Sequence, residues 1–243
     1  FLEITETNDV VGNIRFSFTD GTLDKPAWGW ATAPGSIPQA GDIWISNDYI
    51  DDKTWQQGTS YNFGSLLHEI GHALGLAHPF EGQDRLPVSQ DFTNKTVMSY
   101  TQPDNANAWV SGQYQYYVSS TPMVYDIAAI QHLYGATDNN SGDTTYIYDP
   151  KQPFVEAIWD SGGTDTLDLS NFFQGCTISL LPGEYSTIKC NSWSMTDNLG
   201  IAYGAVIENA TGGSGSDTIT GNTANNVLLG MGGNDVIYGG LGD

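Results

Sequence analysis

The end of the chain repeats itself every nine residues, and this period constrains the fold more than any other feature. Three consecutive units read GGSGSDTIT, GNTANNVLL and GMGGNDVIY over residues 212–238, and GGLGD follows them. The glycines permit tight turns with positive φ, and each unit has room for one short strand with a large apolar residue pointing inward. Those residues are Ile219, Leu228 and Ile237. The repeat therefore predicts short, stacked strands joined by tight turns.

The repeat also follows the pattern G-G-x-G-x-D-x-U-x, which is typical of parallel β-rolls that bind calcium. Turns two repeats apart stack on one side of such a roll, so we expect Asp217 and Asp235 to share an ion. The carbonyl oxygens of Gly212 and Gly230 are the expected partners of these carboxylates. Asn226 replaces the aspartate of the middle repeat, which predicts a weaker site there.

A second pattern, HEIGHALGLAH, begins at His68 and holds three of the four histidines of the chain. A helix would project His68 and His72 from one face, where both could bind one zinc ion. Gly75 can end the helix with a positive φ and bring His78 back as the third ligand. Glu69, next to the first ligand, would accept a proton from water on the metal. The pattern predicts one catalytic zinc ion, because an ordinary core helix would not explain the third, displaced histidine.

The periodicity of apolar residues predicts a small sheet and two helices before the repeats. Alternating segments predict strands at residues 13–20, 28–33 and 42–46. Helical spacing predicts helices at residues 62–75 and 123–135. No helical pattern recurs after Ala136, so we place a domain boundary there.

The segment TVMSYT identifies the family that the chain resembles. Its Met98 and Tyr100 follow the third histidine by about twenty residues, as in the Met-turn of metzincins. Together with the zinc pattern and the repeats, they make the chain similar to the serralysins, bacterial metzincins that join a zinc protease domain to a calcium β-roll. The implied fold class is α+β. A metzincin catalytic domain, with a twisted mixed sheet and an active-site helix, would occupy residues 1–136, and an all-β parallel β-roll would occupy residues 137–243. We expect the first domain to be truncated at its N terminus and the second at its C terminus.

This resemblance implies roles for several residues. Tyr100 would ligate zinc at rest and stabilise the oxyanion when substrate binds. Residues 13–20 would form a parallel strand, and residues 28–33 an antiparallel edge strand along which protein or peptide substrates bind. The implied function is a secreted, extracellular endopeptidase of broad specificity. We expect a monomer, with a proteinaceous inhibitor as a further partner.

A second group of calcium ligands precedes the repeats. The segment WDSGGTD carries the closely spaced oxygens that calcium prefers, on Asp160, Gly162, Gly163 and Asp165. By resemblance, the ligands that complete this site are Asn140, Gly142 and Thr144. A neighbouring site would use Glu208 and the carbonyl of Val206, with Asp165 bridging the two.

Charge and cysteine content limit the remaining choices. A formal net charge of −21 repels phosphate, which excludes nucleic acid and anionic membranes as partners. Cys176 and Cys190 flank a Pro-Gly turn and could form a disulfide worth about 3 kcal/mol. Two free buried thiols are the alternative, and the sequence leaves both open.

A calcium-binding adhesion or interaction module with a vestigial zinc helix is the alternative function. Calcium β-rolls occur in many kinds of secreted protein, so the repeats alone do not distinguish it from a protease. The complete set of predicted catalytic residues favours the protease.

Overall fold

A computed structural model describes residues 13–19, 27–49, 55, 57–58, 60–83, 85–110, 113–191, 193 and 195–242. Residues 1–12 of the predicted first domain, Asp20 of the predicted first strand and Asp243 lie outside these described residues. The described part combines a mixed sheet, two helices and a series of parallel sheets, as the predicted α+β class requires.

The first sheet carries the edge strand predicted for substrate. Its strands are β1 (Arg15–Thr19), β2 (Gly29–Ala31) and β3 (Asp42–Ser46), in the order β1-β3-β2. β1 is parallel to β3, whereas β2 is antiparallel to it. The three predicted strands are therefore present with the implied directions, and β2 lies at the edge.

Helix α1 (Tyr61–Ala73) packs against β2 and β3. Ile43 and Ile45 project from β3 into a small core that includes Ala73. The helix ends at Ala73, two residues before the predicted end at Gly75. The opposite face of α1 is also buried, so this helix is enclosed on two sides.

The C-terminal end of α1 is a Schellman motif, which confirms the predicted turn. The N–H of Leu76 donates a 2.9 Å hydrogen bond to the carbonyl of Gly71, and that of Gly75 donates one of 2.9 Å to His72. This pattern requires a left-handed residue after the helix, and Gly75 has a φ of 98°. The chain therefore turns sharply before His78.

The region between α1 and the second helix is mostly irregular. It contains the antiparallel hairpin of β4 (Asn107–Val110) and β5 (Gln113–Tyr116). Helix α2 (Val124–Tyr134) follows and ends at Gly135, which has a φ of 84°. No helix among the described residues has the length and apolar character needed to cross a lipid bilayer.

After α2 the described residues form only short strands. They are β6 (Thr145–Ile147), β7 (Glu156–Ile158), β8 (Thr166–Asp168), β9 (Thr177–Ser179), β10 (Tyr185–Ser186), β11 (Leu199–Ile201), β12 (Asn209–Thr211), β13 (Thr218–Thr220), β14 (Val227–Leu229) and β15 (Val236–Tyr238). One four-stranded sheet has the order β14-β12-β8-β6, and a three-stranded sheet has the order β15-β13-β9. All pairs in these two sheets are parallel. Consecutive strands from β12 to β15 alternate between the two sheets, so turns two repeats apart are neighbours, as predicted.

Burial of the repeat residues decreases toward the last strands. Ile219 is fully buried, Leu228 is half-buried and Ile237 is 44% exposed. Ile237 pairs with the buried Ile219 in the parallel ladder, yet it is less enclosed than the residues of the earlier repeats. Its strand, β15, is the outermost strand of its sheet among the described residues. No later strand of that sheet therefore covers it.

The largest core joins the parallel sheets to the start of α2. Met123 and Val124 belong to the same buried cluster as Leu167 and Ile178. A continuous apolar core of this kind fixes α2 against the strands that follow it.

Both cysteines are buried in this cluster, and both are free thiols. Thr177 pairs with Thr187 in an antiparallel bridge, so Cys176 lies opposite Ile188 rather than opposite Cys190. Of the two alternatives that the sequence left open, the structure therefore contains the free thiols.

Replacing Gly75 with alanine should destabilise the fold. An added Cβ would make only ordinary contacts, the nearest at 3.6 Å from Pro34, so the cost is the positive φ itself. We expect Gly75→Ala to lower the free energy of unfolding by about 1–2 kcal/mol in denaturant titrations. Gly35→Ala is the matched control, since nothing lies within 4 Å of its added Cβ and its φ is ordinary. Equal stability of the two variants would contradict the role given to Gly75.

Candidate active site

The three predicted histidines converge on one point. Nε2 of His78 lies 3.1 Å from Nε2 of His72 and 3.3 Å from Nε2 of His68. Four tetrahedral ligands at zinc–nitrogen distances of about 2.1 Å would lie about 3.4 Å apart. Among the described residues, these histidines are the only group of three or more His, Cys, Asp or Glu side chains with ligand atoms this close together.

The hydrogen bonds of the rings show why a cation fits between them. Nδ1 of His68 lies 2.9 Å from the carbonyl of Val97, and Nδ1 of His72 lies 2.8 Å from that of Leu76. A carbonyl only accepts, so each Nδ1 carries the proton and each neutral ring presents a lone pair at Nε2. Burial lowers the pKa of His68 to about 4 and also lowers that of His72, which keeps both rings neutral. Converging lone pairs repel one another unless a metal ion binds them.

The third imidazole lies next to a carboxylate but does not hydrogen-bond to it. Nδ1 of His78 lies 3.1 Å from a carboxylate oxygen of Glu81, three residues later, and this buried nitrogen has no hydrogen-bond partner among the described residues. A carboxylate near the outer nitrogen is a common second partner of a metal-binding imidazole. Sequence analysis did not identify Glu81, although its spacing from the third histidine was a usable signal.

Glu69 is a buried carboxylate beneath the edge strand. Its side chain faces the backbone of Gly29, where an added Cβ would lie 3.5 Å from Cγ of Glu69. One carboxylate oxygen, Oε2, is buried without a hydrogen-bond partner. Burial raises the pKa of Glu69 to about 7, a value that suits a group that takes up and releases a proton near neutral pH.

The side chain of Tyr100 contacts two of the three histidines. Its hydroxyl lies 2.8 Å from Nε2 of His78, and its ring stacks on His68 with centroids 5.3 Å apart. The residue is 64% exposed, so its side chain has space to move away from the histidines. Burial of its hydroxyl and the nearby carboxylate of Glu69 raise its pKa, which keeps it a hydrogen-bond donor.

Met98, the methionine of the predicted Met-turn, is buried against the helix that carries two of the histidines. It is 2% exposed and packs against α1 at Gly71, where an added Cβ would lie 2.4 Å from its sulfur. Only glycine allows this approach between the turn and the helix. The contact lies on α1 between His68 and His72, the two ligands that the helix supplies.

Asp126 supports the same turn and was missed by sequence analysis. Its carboxylate accepts hydrogen bonds from the hydroxyl of Thr96 and from the N–H groups of Val97 and Met123. Burial raises its pKa to about 6 despite these donors. Its position in the first turn of the predicted helix 123–135 was the available signal.

A cleft of about 410 Å³ opens beside these residues. It extends from Trp28 and Gly29 on the edge strand, past Glu69, to Tyr116 and Val118. The histidines and Glu69 are therefore reached from a surface that also presents β2, which is an edge strand of its sheet among the described residues.

The calcium ligands predicted around Asp165 are brought close together. Asp165 is fully buried; Oδ1 accepts the N–H of Thr144, whereas Oδ2 has no hydrogen-bond partner. Burial, with the charges of Asp160 and Glu208, raises the pKa of Asp165. Glu208 accepts the N–H of Asp165 at 2.7 Å. A buried carboxylate oxygen without a donor, among other carboxylates, fits a cation.

The other predicted members lie on adjoining turns. The backbones of Gly142 and Gly163 are in contact, since a Cβ on Gly163 would lie 2.6 Å from the Gly142 carbonyl oxygen. Gly162 donates to Asp160, and Asn140 has a φ of 51°. Val206 is 41% exposed.

The aspartates of the first and third repeats lie on neighbouring turns, and their sharing of an ion stays a prediction. Asp217 donates its N–H to Asp235 at 2.8 Å, across a separation of 18 residues. Gly212 and Gly230 lie against these carboxylates, because an added Cβ on either would approach them within 2.5 Å. Asn226 instead donates its amide to the carbonyl of Glu208, so the middle repeat satisfies its turn without a carboxylate.

The sequence of this chain is similar to two protein families and to several known proteins. The Peptidase M10 serralysin C-terminal family matches residues 124–240, and the Met-zincin family matches residues 65–146. Serralysin B of Dickeya chrysanthemi is 35% identical over 222 residues, covering 82% of this chain and 44% of that protein. Metallopeptidase AprA of Pseudomonas marginalis is 40% identical over 199 residues, covering 73% and 40%. Serralysin of Proteus mirabilis is 34% identical over 238 residues, covering 86% and 47%.

This chain spans less than half the length of each of these relatives. The two family matches overlap and together extend from α1 to the last strand. On these matches, the chain belongs to the serralysin family of metzincins.

Proposed function

We propose that this chain is a zinc endopeptidase that hydrolyses peptide bonds of extracellular proteins. The observation that carries the proposal is the convergence of three imidazoles, with Nε2 of His78 3.1 and 3.3 Å from those of His72 and His68, next to a buried carboxylate of Glu69 that has no hydrogen-bond partner at Oε2. The relatives named as serralysins and metallopeptidases support it.

His68, His72 and His78 would hold the ion, with Tyr100 as a fourth ligand in the absence of substrate. Bound zinc supplies two kinds of chemistry: it lowers the pKa of water and polarises a peptide carbonyl. Glu69 would take the proton from the attacking water and deliver it to the leaving amine. Between these two proton transfers, while the tetrahedral oxyanion exists, the hydroxyl of Tyr100 would donate a hydrogen bond to it.

Substrate would bind as an additional strand along β2. The free edge of that strand offers backbone N–H and C=O groups next to Glu69, and backbone pairing is insensitive to most side chains. Broad specificity follows from this mode of binding. A proteinaceous inhibitor could use the same edge, and we propose that the chain acts as a monomer outside the cell.

For the C-terminal part we propose a calcium-binding parallel β-roll that begins after residue 136. The alternation of strands between two parallel sheets and the buried, unpaired oxygen of Asp165 support it. Calcium would bind at the turns around Asp165 and around Asp217, and so offset the acidic charge of the chain.

Glu69→Gln should abolish peptide hydrolysis without loss of zinc. The amide cannot accept the proton from water, so we expect kcat on casein to fall by about 10³-fold or more. Zinc content, measured by atomic absorption, should stay at one per chain. Glu81→Gln is the control, because it changes an exposed glutamate next to His78 that lies outside the cleft, and it should cost at most about 10- to 100-fold.

Full activity of Glu69→Gln would disprove the mechanism. A zinc-loaded wild-type protein that cleaves no protein but binds calcium would instead support the adhesion module.

Calcium should stabilise the metal-free protein through Asp165. At a hundredfold excess over Kd, one site contributes about 2.7 kcal/mol, which raises Tm by about 5 °C or more for a domain of this size. Asp165→Asn should reduce the calcium-induced shift, while Asp149→Asn, at an exposed position, should leave it unchanged. An unchanged Tm of the wild-type protein across a calcium titration would refute the calcium sites.

A further inference from the structure

We propose that Asn94, Lys95 and Asp197 form a clamp through which the C-terminal sheets position the zinc ligand His68. Here "the clamp" denotes these three residues, of which Asn94 and Lys95 immediately precede the Met-turn. The inference rests on the proposed zinc site and assigns positioning residues to it.

The clamp joins two parts of the chain that are about a hundred residues apart in sequence, by both charge and hydrogen bonding. Nζ of Lys95 lies 2.7 Å from Oδ2 of Asp197, and it also lies 3.3 Å from the ring centroid of Tyr185. The side-chain amide of Asn94 donates to the carbonyls of Thr196 and Asp197, at 3.3 and 3.1 Å. Lys95 and Asn94 are 7% and 2% exposed, so their side chains are held in place by packing as well as by these contacts, whereas the side chain of Asp197 is 43% exposed.

The loop that carries Asp197 is rigidly held. Asp197 has a φ of 57°, an uncommon conformation for a residue with a side chain. Its carbonyl accepts a hydrogen bond from Asn94, and its carboxylate accepts one from Lys95. The next residue, Asn198, is fully buried, donates to the carbonyls of Phe154 and Ile188, and accepts the N–H of Ile188. The loop is thereby fixed to the core of the parallel sheets.

A short path leads from the clamp to the metal ligand. Two residues after Lys95, Val97 donates its N–H to Asp126 and accepts the Nδ1–H of His68 at its carbonyl. The position of this carbonyl sets the orientation of the His68 ring. The peptide segment 95–97 is therefore held by the clamp at one end and orients a zinc ligand at the other.

The cost of burying Lys95 argues that its position matters. The chain has only seven lysines and arginines against 28 acidic residues, and a buried ammonium group is costly to desolvate. An apolar residue at this position would stabilise the fold at least as well, whereas a charge pair specifies one geometry. Removing the charge of Asp197 would take away the only carboxylate within ion-pair distance of Lys95 among the described residues and would loosen that geometry.

The test compares metal binding and catalysis in Lys95→Met, Asp197→Asn and the double variant. Zinc affinity is measured by competition with a chromophoric chelator, and ligand geometry by the absorption spectrum of the cobalt(II)-substituted protein. Casein cleavage gives kcat and KM. Lys151→Met makes the same substitution at an exposed lysine and serves as the control.

We expect each single variant to weaken zinc binding by about 3- to 10-fold, to shift the cobalt spectrum, and to lower kcat with little change in KM. The double variant should lose no more than the worse single variant, because both residues act through one contact. The control should match the wild type throughout.

Folded single variants that bind zinc and display the cobalt spectrum of the wild type would overturn the clamp. If Lys95→Met does not fold, Asp197→Asn decides, since it removes only the charge of a side chain that is 43% exposed. If the wild type cleaves no protein, the proposed function fails, but the zinc and cobalt measurements still decide the clamp.

Discussion

The turn at Gly75 is the constraint on which the proposed zinc site depends. A straight helix can supply His68 and His72, but it would carry His78 past their shared face. The Schellman motif ends the helix at the residue that tolerates a φ of 98°, and the hydrogen bond from Leu76 to Gly71 closes the turn. The third imidazole then meets the first two without any distortion of the helix.

Two other parts of the structure cover the polar face of α1, which carries His68, His72 and Glu69. The Met-turn packs on Gly71, and the edge strand lies over Glu69. Both layers exclude water, which holds His68 neutral and raises the pKa of Glu69 to about 7. The proposed metal binding and proton transfer therefore share one physical origin, the burial of polar side chains on one face of a helix.

The parallel sheets use acidic side chains as structural links between turns. Asp165 accepts the N–H of Thr144, and Glu208 accepts that of Asp165. On the other side, Asp217 accepts the N–H of Cys176, and Asp235 accepts that of Asp217. Each carboxylate thus satisfies a backbone donor of the preceding turn. Asp197, in a loop of the same core, contacts the segment before the Met-turn and connects this architecture to the site.

The sequence by itself determined the secondary-structure elements and the types of side chain that would bind metal ions. The three strands of the first sheet, both helices, the turn at Gly75 and the residues of the site follow from local patterns, because periodicity, glycine and metal-ligand spacing act over a few residues. Tertiary structure alone decided the contacts of Glu81, Asp126, Lys95 and Asp197 and the free state of the two cysteines. It also decided that Ile237 remains exposed while Ile219 is buried. These outcomes depend on strand register and on which turn covers another, and both are set by packing between segments far apart in the chain.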